Sequence, residues 1–132
     1  MIKLNDLRIG NLVRLESIDK EGLVISIDTK NVLFAHTKGK IDSIKLEDIR
    51  GIYTTVKLLK DFGFQNTSDK NRLHLVVNSN FIIHANRHGT TDWSITLEDT
   101  EGNEIGISID ISYIHTLQNA YYVLFNKEID IK

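Results

Sequence analysis

Two histidines stand four residues apart, at His84 and His88. On a helix this spacing lets two imidazoles share a transition-metal ion. The segment around His84 is strand-like, however, and four residues of strand separate two side chains by about 13 Å, too far for one ion. A turn could close the gap and add Asp92 as a third ligand. We instead expect His84 to cover a sheet edge, His88 to be solvated, and no metal site.

Two pairs of adjacent carboxylates, Glu47-Asp48 and Glu98-Asp99, raise the question of acid–base catalysis. Glycoside hydrolysis needs two carboxyl groups that converge across a cleft at about 5–10 Å, whereas neighbours in a solvated turn diverge. The sequence contains no GxSxG elbow, no P-loop and no GxGxxG motif. It contains no cysteine, which excludes thiol nucleophiles, disulfides and cysteine-ligated metals. We therefore expect no enzymatic activity and no cofactor.

The stretch HANRHGTTDW places Arg87, His88 and Trp93 within seven residues. A basic group near an aromatic ring is typical of a surface that stacks on nucleotide bases. The chain carries a net charge of −2 and a pI of about 6.2, so no overall basic field attracts nucleic acid. We take these three residues as speculative ligand- or partner-binding residues and nucleic acid as an unlikely partner. The alternative for Trp93 is a place in the core.

A second polar group, His115, Gln118 and Asn119, belongs to a closing helix that starts after Asp110 and that Ser112 can cap. Helical spacing predicts a core face made of Ile114, Leu117, Tyr121, Leu124 and Phe125, broadened by Tyr113, Ala120 and Val123. The three polar residues then lie off that face. We expect them to hydrogen-bond to strand ends or loops that the helix crosses, with an interface or ligand role as the alternative.

Short strands must position these groups. The first third of the chain predicts four strands, at 11–17, 21–28, 30–36 and 40–46, separated by hairpin-length turns, and a fifth strand after LEDIRGI. In the second strand Leu23, Ile25 and Ile27 alternate, which predicts that they share one half-buried face. Five strands in so short a stretch indicate a small SH3-like β-barrel or sheet.

A short helix follows, with Thr54 or Thr55 as its cap and Gly63 at its left-handed end. A polar loop leads to an antiparallel meander of strands at 72–77, 81–85, 93–98 and 104–110, paired as two hairpins. The closing helix completes an α+β fold, and EIDIK can add a short terminal strand. We expect a subdomain at 1–53 and a second at 54–132, packed as one compact unit.

Composition supports a soluble globule. The 132 residues are 41% hydrophobic and 26% charged. Apolar runs reach only four or five residues, against about 20 for a membrane span. The opening MIKLNDLRIGNLV lacks the apolar core of a signal peptide. We expect a cytoplasmic protein with no membrane partner.

Three stretches, LRIGNLV at 7–13, LLKDFGF at 58–64 and ISYIHTLQNAYYVLF at 111–125, carry a resemblance. Together they resemble a family of small uncharacterised proteins from Bacteroidota and their phages and mobile elements. The last stretch is the most specific, although Ile114 stands where valine is common and NKEI where TGEEL often follows. The family has no established activity, so the resemblance implies no catalytic residue. It implies a phage or mobile-element origin.

We predict a small non-enzymatic binding protein, accessory or counteracting a host defence, whose partner is a host or phage protein or a second copy in a homo-oligomer. The alternatives are a protein that sequesters a small nucleotide-like ligand, a minor virion component, and a weak nucleic-acid-binding module. The expected location is the host cytoplasm if the protein is phage-encoded, with the virion as the alternative.

Overall fold

The computed structural model describes residues 2–17, 20–36 and 39–131. Two five-stranded antiparallel sheets and two α-helices account for most of this part of the chain. The predicted α+β class is therefore confirmed. The chain divides into two units, one made of 1–52 with 113–128 and the other of 53–112 with 129–132.

The first unit contains the strands β1 (Leu12–Leu15), β2 (Lys20–Ile27), β3 (Asn31–His36), β4 (Ile41–Lys45) and β5 (Ile49–Arg50). Their order in the sheet is β4-β3-β2-β1-β5. A 3-10 turn, Leu46–Asp48, joins β4 to β5. The two-residue β5 pairs with β1, and β4 lies at the opposite edge. The described strands thus form an open sheet rather than a closed barrel.

The buried face of this sheet differs from the predicted one. Leu23 pairs with Ala35 and Val24 with Phe34, but Ser26 then pairs with Leu33, so Ile25 is an extra residue in a bulge. A bulge of one residue reverses the alternation beyond it. Before the bulge Val24 faces the core while Leu23 and Ile25 face outwards, and beyond it Ile27 packs against the core. The prediction that Leu23, Ile25 and Ile27 share one face is therefore wrong. The core consists of Ile2, Leu7, Val13, Leu15, Val24, Val32, Phe34 and Ile49.

The second unit begins with α1 (Val56–Asp61), followed by β6 (Gln65–Asn66), β7 (Arg72–Val76), β8 (Phe81–Arg87), β9 (Trp93–Asp99) and β10 (Glu104–Asp110). The sheet is a meander in the order β10-β9-β8-β7-β6, so both predicted hairpins are confirmed. The Thr55 hydroxyl accepts a hydrogen bond from the Leu58 N–H, and Gly63 has φ +97°, as the cap signals predict. Strand β6 lies in the stretch predicted to be a polar loop.

Helix α2 (Ile114–Phe125) has contacts with β1 and groups with the first unit, although the sequence placed it with 54–132. Its N-cap residue is Tyr113, whose side chain makes no capping hydrogen bond, and the predicted cap, Ser112, instead hydrogen-bonds to Asp110. Its buried residues are Ile114, His115, Leu117, Gln118 and Tyr121. Leu124 is 42% and Val123 82% exposed, so their predicted burial is wrong. Residues 126–131 contain no strand among the described residues.

Candidate functional site

Gln118 connects α2 to the start of β1 through two side-chain hydrogen bonds. Its side-chain carbonyl accepts a hydrogen bond from the Leu12 N–H at 2.8 Å, and its amide nitrogen donates to the Gly10 carbonyl at 3.1 Å. Gln118 and Leu12 are both buried. A buried backbone N–H without a partner costs about 1–3 kcal/mol. Gln118 removes this cost at Leu12, the first residue of β1, because its side-chain carbonyl accepts the hydrogen bond of the Leu12 N–H.

Asn119 extends the same junction. Its Oδ1 accepts from the Asn11 Nδ2 at 2.8 Å and from the Arg8 Nε at 3.1 Å, and its Nδ2 donates to the Asp6 carbonyl at 2.8 Å. Arg8 also forms an ion pair with Glu128. The polar residues of LRIGN and of LQN are therefore partners of one another, which is the structural role expected for Gln118 and Asn119.

His115 has a different environment on the same helix. Its side chain is buried, and its Nδ1 has no hydrogen-bond partner among the described residues. Burial lowers the pKa of the imidazole, and the Asp6 carboxylate opposes this shift. The ring lies 5.7 Å from that of Tyr113, measured between centroids. Burial therefore favours the neutral form of His115, and its Nδ1, unlike the side chains of Gln118 and Asn119, does not make the expected hydrogen bond to a strand end or loop among the described residues.

Arg87, His88 and Trp93 lie at one end of the second sheet. Arg87 pairs with Trp93 across β8 and β9, and its guanidinium carbon is 5.5 Å from the centroid of the Trp93 ring. Trp93 is buried, which supports its core alternative. The Nε2 of His88 lies 2.7 Å from the Ser94 hydroxyl. The structure therefore keeps these three residues together, in a different unit from His115, Gln118 and Asn119.

His84 and His88, the two histidines considered as metal ligands, contact different side chains. The Nε2 of His84 lies 3.2 Å from the Glu98 carboxylate, whereas His88 contacts Ser94. In the part of the chain that the structure describes, no three His, Asp or Glu side chains are grouped so that they could hold a metal ion.

The second sheet has a polar face that the sequence analysis did not identify. Cross-strand pairing places His74, His84 and Thr96 in one row and Arg72, Asn86 and Ser94 in the next. Arg72 donates to Asn86 at 2.7 Å and forms an ion pair with Glu104 at 2.9 Å. Strands β7 and β10 of a flat sheet would be about 14 Å apart, so this ion pair indicates that the sheet curls towards its polar face. Strand alternation at 72, 74 and 84, 86 is the signal that could have revealed it.

The outer face of the first sheet is apolar at its centre. Leu23, Ala35 and Ile41 form one cross-strand row, and Leu33 and Ile25 lie beside it. The exposed fractions are 42% for Leu23, 38% for Ile25, 41% for Leu33 and 58% for Ile41. We call these five residues the outer apolar patch. Large exposed apolar side chains in one contiguous group are typical of a surface that binds another protein.

Charged residues border this patch on two sides. Arg14 pairs with Glu21 and with Arg50 in the row next to Leu23, and Lys45 pairs with Asn31 beyond Leu33. An apolar centre with a polar rim is the usual anatomy of a protein interface. The bulge at Ile25 lets Ile27 pack against the core although Leu23 and Ile25, on the same strand, face outwards.

Comparisons with protein-family models, with curated proteins and with solved structures find no match to this chain. The described residues form no helix that is long and apolar enough to cross a membrane. The candidate sites therefore stand on their geometry alone.

Proposed function

We propose that this protein is a small non-enzymatic binding protein and that the outer apolar patch is its interaction surface. One observation carries the proposal: Leu23, Ile25, Leu33 and Ile41 are large apolar side chains that are each more than a third exposed on one face of one sheet. Transferring such side chains out of water contributes about 25 cal/mol per Å² of buried apolar area. The partner is a host or phage protein. An origin in a phage or mobile element is part of this proposal.

The first unit is further proposed to be SH3-like. The strand order β4-β3-β2-β1-β5 and the 3-10 turn before β5 support this assignment. A small sheet of this kind can expose one face while its other face packs a core, and the bulge in β2 is compatible with that division.

The test compares two exposed positions of the patch with an exposed position elsewhere. In the double variant Leu33→Lys/Ile41→Lys the patch loses its apolar centre, whereas Val76→Lys changes a residue of β7 that is 60% exposed. Tagged proteins are used to capture partners from a lysate of the host, and captured partners are then purified and titrated. We expect the double variant to bind at least about tenfold more weakly than Val76→Lys.

Folding of both variants is checked first by circular dichroism. We expect both to be folded, because exposed substitutions usually change the free energy of unfolding by less than about 0.5 kcal/mol. Equal affinities of the double variant and Val76→Lys would overturn the proposal. Light scattering with size-exclusion chromatography tests the homo-oligomer separately, and a monomer at all micromolar concentrations would exclude a second copy as the occupant.

A second function is favoured by the polar face of the second sheet. Arg72, His74, His84, Asn86 and Thr96 supply hydrogen-bonding groups on a face that curls, and the Nδ1 of His84 is buried without a partner among the described residues. Such convergent polar groups are needed to bind a small nucleotide-like ligand. A ligand at 100 times its Kd stabilises the fold by about 2.7 kcal/mol, so thermal shifts with a nucleotide panel test this alternative. Arg72→Ala should abolish any shift.

A further inference from the structure

A cavity of about 420 Å³ lies in the second unit, between the tips of the β7–β8 and β9–β10 hairpins. The residues that line it include three apolar ones, Val76, Phe81 and Ile82, and one half-buried acid, Glu98. Cavities that hold small ligands usually measure about 300–1,000 Å³ and combine an apolar lining with a few polar groups. The hairpin cavity, as we call it, therefore has the size and the composition of a small-ligand site.

Glu98 supplies an acceptor at the wall of the hairpin cavity. Its side chain is 25% exposed, and one carboxylate oxygen lies 3.2 Å from the Nε2 of His84. An ionised carboxylate can only accept hydrogen bonds, so His84 donates from Nε2. The other oxygen of Glu98 has no hydrogen-bond partner among the described residues, and none of their lysines or arginines is ion-paired with it. Burying a charge costs free energy unless an opposite charge accompanies it, so this carboxylate attracts a cation.

His84 gives a second, independent indication of a ligand. The residue is 9% exposed, and its Nδ1 has no partner in the part of the chain that the structure describes. Strand alternation puts its side chain on the same face of the sheet as Ile82 and Glu98, which both line the hairpin cavity. In a neutral imidazole that donates from Nε2, Nδ1 is an acceptor. Buried polar atoms are nearly always hydrogen-bonded, so an unpaired acceptor beside a cavity indicates a ligand that carries donors.

The charges around the hairpin cavity favour a cationic ligand over an anionic one. Asp99 also lines the cavity, and Glu104 pairs with Glu98 across β9 and β10. Arg72 reaches this part of the sheet, but it is already ion-paired with Glu104. A phosphate or carboxylate would therefore be repelled. A metal ion needs several ligands on one centre, and no such group of three His, Asp or Glu side chains exists among the described residues, which favours an organic cation.

The rim of the hairpin cavity favours a small molecule over a protein partner. The rim consists of turn residues from both hairpins, Asn78, Ser79, Asn80, Thr100 and Gly102. A protein interface has an apolar core inside a polar rim, which is the anatomy of the outer apolar patch in the first unit. Here the apolar residues line the cavity itself, where they can contact the body of one small molecule.

We propose that the hairpin cavity binds a small organic cation that carries a guanidinium or amidinium group on an apolar body. The planar cation donates several N–H bonds, so it can bind the free oxygen of Glu98 while its body packs on Val76, Phe81 and Ile82. The site lies in the second unit and uses no residue of the outer apolar patch. The inference therefore goes beyond the proposed function and does not depend on it.

The probes are phenylguanidine and phenylurea, which have nearly the same shape but differ in charge. Each compound is titrated into the full chain, and binding is followed by two-dimensional amide NMR. We expect phenylguanidine to bind at least about tenfold more tightly than phenylurea. The amide signals that shift should belong to residues 76–82 and 98–102, which contain the lining of the cavity.

Glu98→Gln and Glu101→Gln form a matched pair of variants. Each removes one negative charge from the same hairpin, and of these two residues only Glu98 lines the cavity. The glutamine carbonyl at position 98 can still accept the His84 hydrogen bond, so the fold should be retained. Phenylguanidine should bind at least about tenfold more weakly to Glu98→Gln and within about twofold of wild type to Glu101→Gln. Val76→Lys places a cation at the cavity and should weaken binding as well, whether or not Glu98→Gln folds.

Arg72→Ala separates this site from the nucleotide alternative. A nucleotide needs Arg72, whereas the variant leaves Glu104 without its ion pair and should bind phenylguanidine at least as tightly as wild type. The inference would be overturned by no measurable binding of phenylguanidine at millimolar concentrations, by equal affinities for phenylguanidine and phenylurea, by equal effects of Glu98→Gln and Glu101→Gln, or by unchanged binding to Val76→Lys. A short peptide with a central arginine that binds at least about tenfold more tightly than phenylguanidine would contradict a small-molecule ligand.

Discussion

Replacing Gln118 by alanine tests whether the junction between α2 and β1 stabilises the first unit. The change removes the acceptor of the buried Leu12 N–H and the donor to the Gly10 carbonyl. The unpaired N–H costs about 1–3 kcal/mol. Loss of the one buried methylene group, Cγ, costs about 0.8 kcal/mol more. We expect the free energy of unfolding to fall by about 3 kcal/mol, a large part of the roughly 5–15 kcal/mol typical of a domain.

The assay is urea unfolding followed by far-ultraviolet circular dichroism. Trp93 is the single tryptophan and lies in the second unit, so its fluorescence follows that unit separately. The control is Val123→Ala on the same helix, where the side chain is 82% exposed and a change below about 0.5 kcal/mol is expected. A Gln118→Ala protein as stable as this control would refute the reasoning. If that stable protein had also lost its partner, Gln118 would belong to an interface.

Three further predictions concern individual residues. Burial lowers the pKa of His115 in the folded protein, so the unfolded chain binds this proton more readily. The free energy of unfolding should therefore be constant above the ordinary histidine pKa of about 6.5 and fall as the pH decreases below it. In His115→Gln this part of the pH dependence should disappear from urea titrations at pH 5 to 8. A Cβ at Gly22 would lie 2.4 Å from the Ala35 carbonyl oxygen, so Gly22→Ala should lower the free energy of unfolding, measured by calorimetry, by about 1–3 kcal/mol. The control is Gly89→Ala, where the nearest atom to the added Cβ is 3.6 Å away, and its calorimetric scan should match that of the wild type. Thr55→Ala should cost about 1 kcal/mol through the lost cap of α1, and a melting temperature equal to that of the wild type would contradict the capping bond.

Much of the fold could be predicted because it depends on local patterns. Alternating apolar residues and glycine-containing turns defined the strands, and Thr55 and Gly63 bounded α1 as their residue types suggest. The bulge at Ile25 could not be predicted, because it depends on how β2 pairs with β3 and not on the residues of β2. That single extra residue places Ile27 on the core face, opposite to Leu23 and Ile25.

The candidate surfaces were harder to predict than the strands. Gln118 and Asn119 were expected to hydrogen-bond to strand ends or loops, and the structure gives those bonds to Leu12, Gly10, Asn11 and Asp6. Helical periodicity predicted a buried Leu124 instead of the buried His115 and Gln118. Helical periodicity identifies the buried face of a helix from its apolar residues. The face of α2 that packs against β1 is partly polar, because Gln118 hydrogen-bonds to that strand. The outer apolar patch combines three strands, so no local pattern shows it.

The most direct test of the binding surface is the affinity of one purified partner for Leu33→Lys/Ile41→Lys compared with Val76→Lys. All three substitutions replace an exposed apolar side chain by lysine, and only the first two lie in the outer apolar patch. The proposal predicts at least about tenfold weaker binding for the double variant and unchanged binding for Val76→Lys. Equal binding by two folded proteins would contradict it.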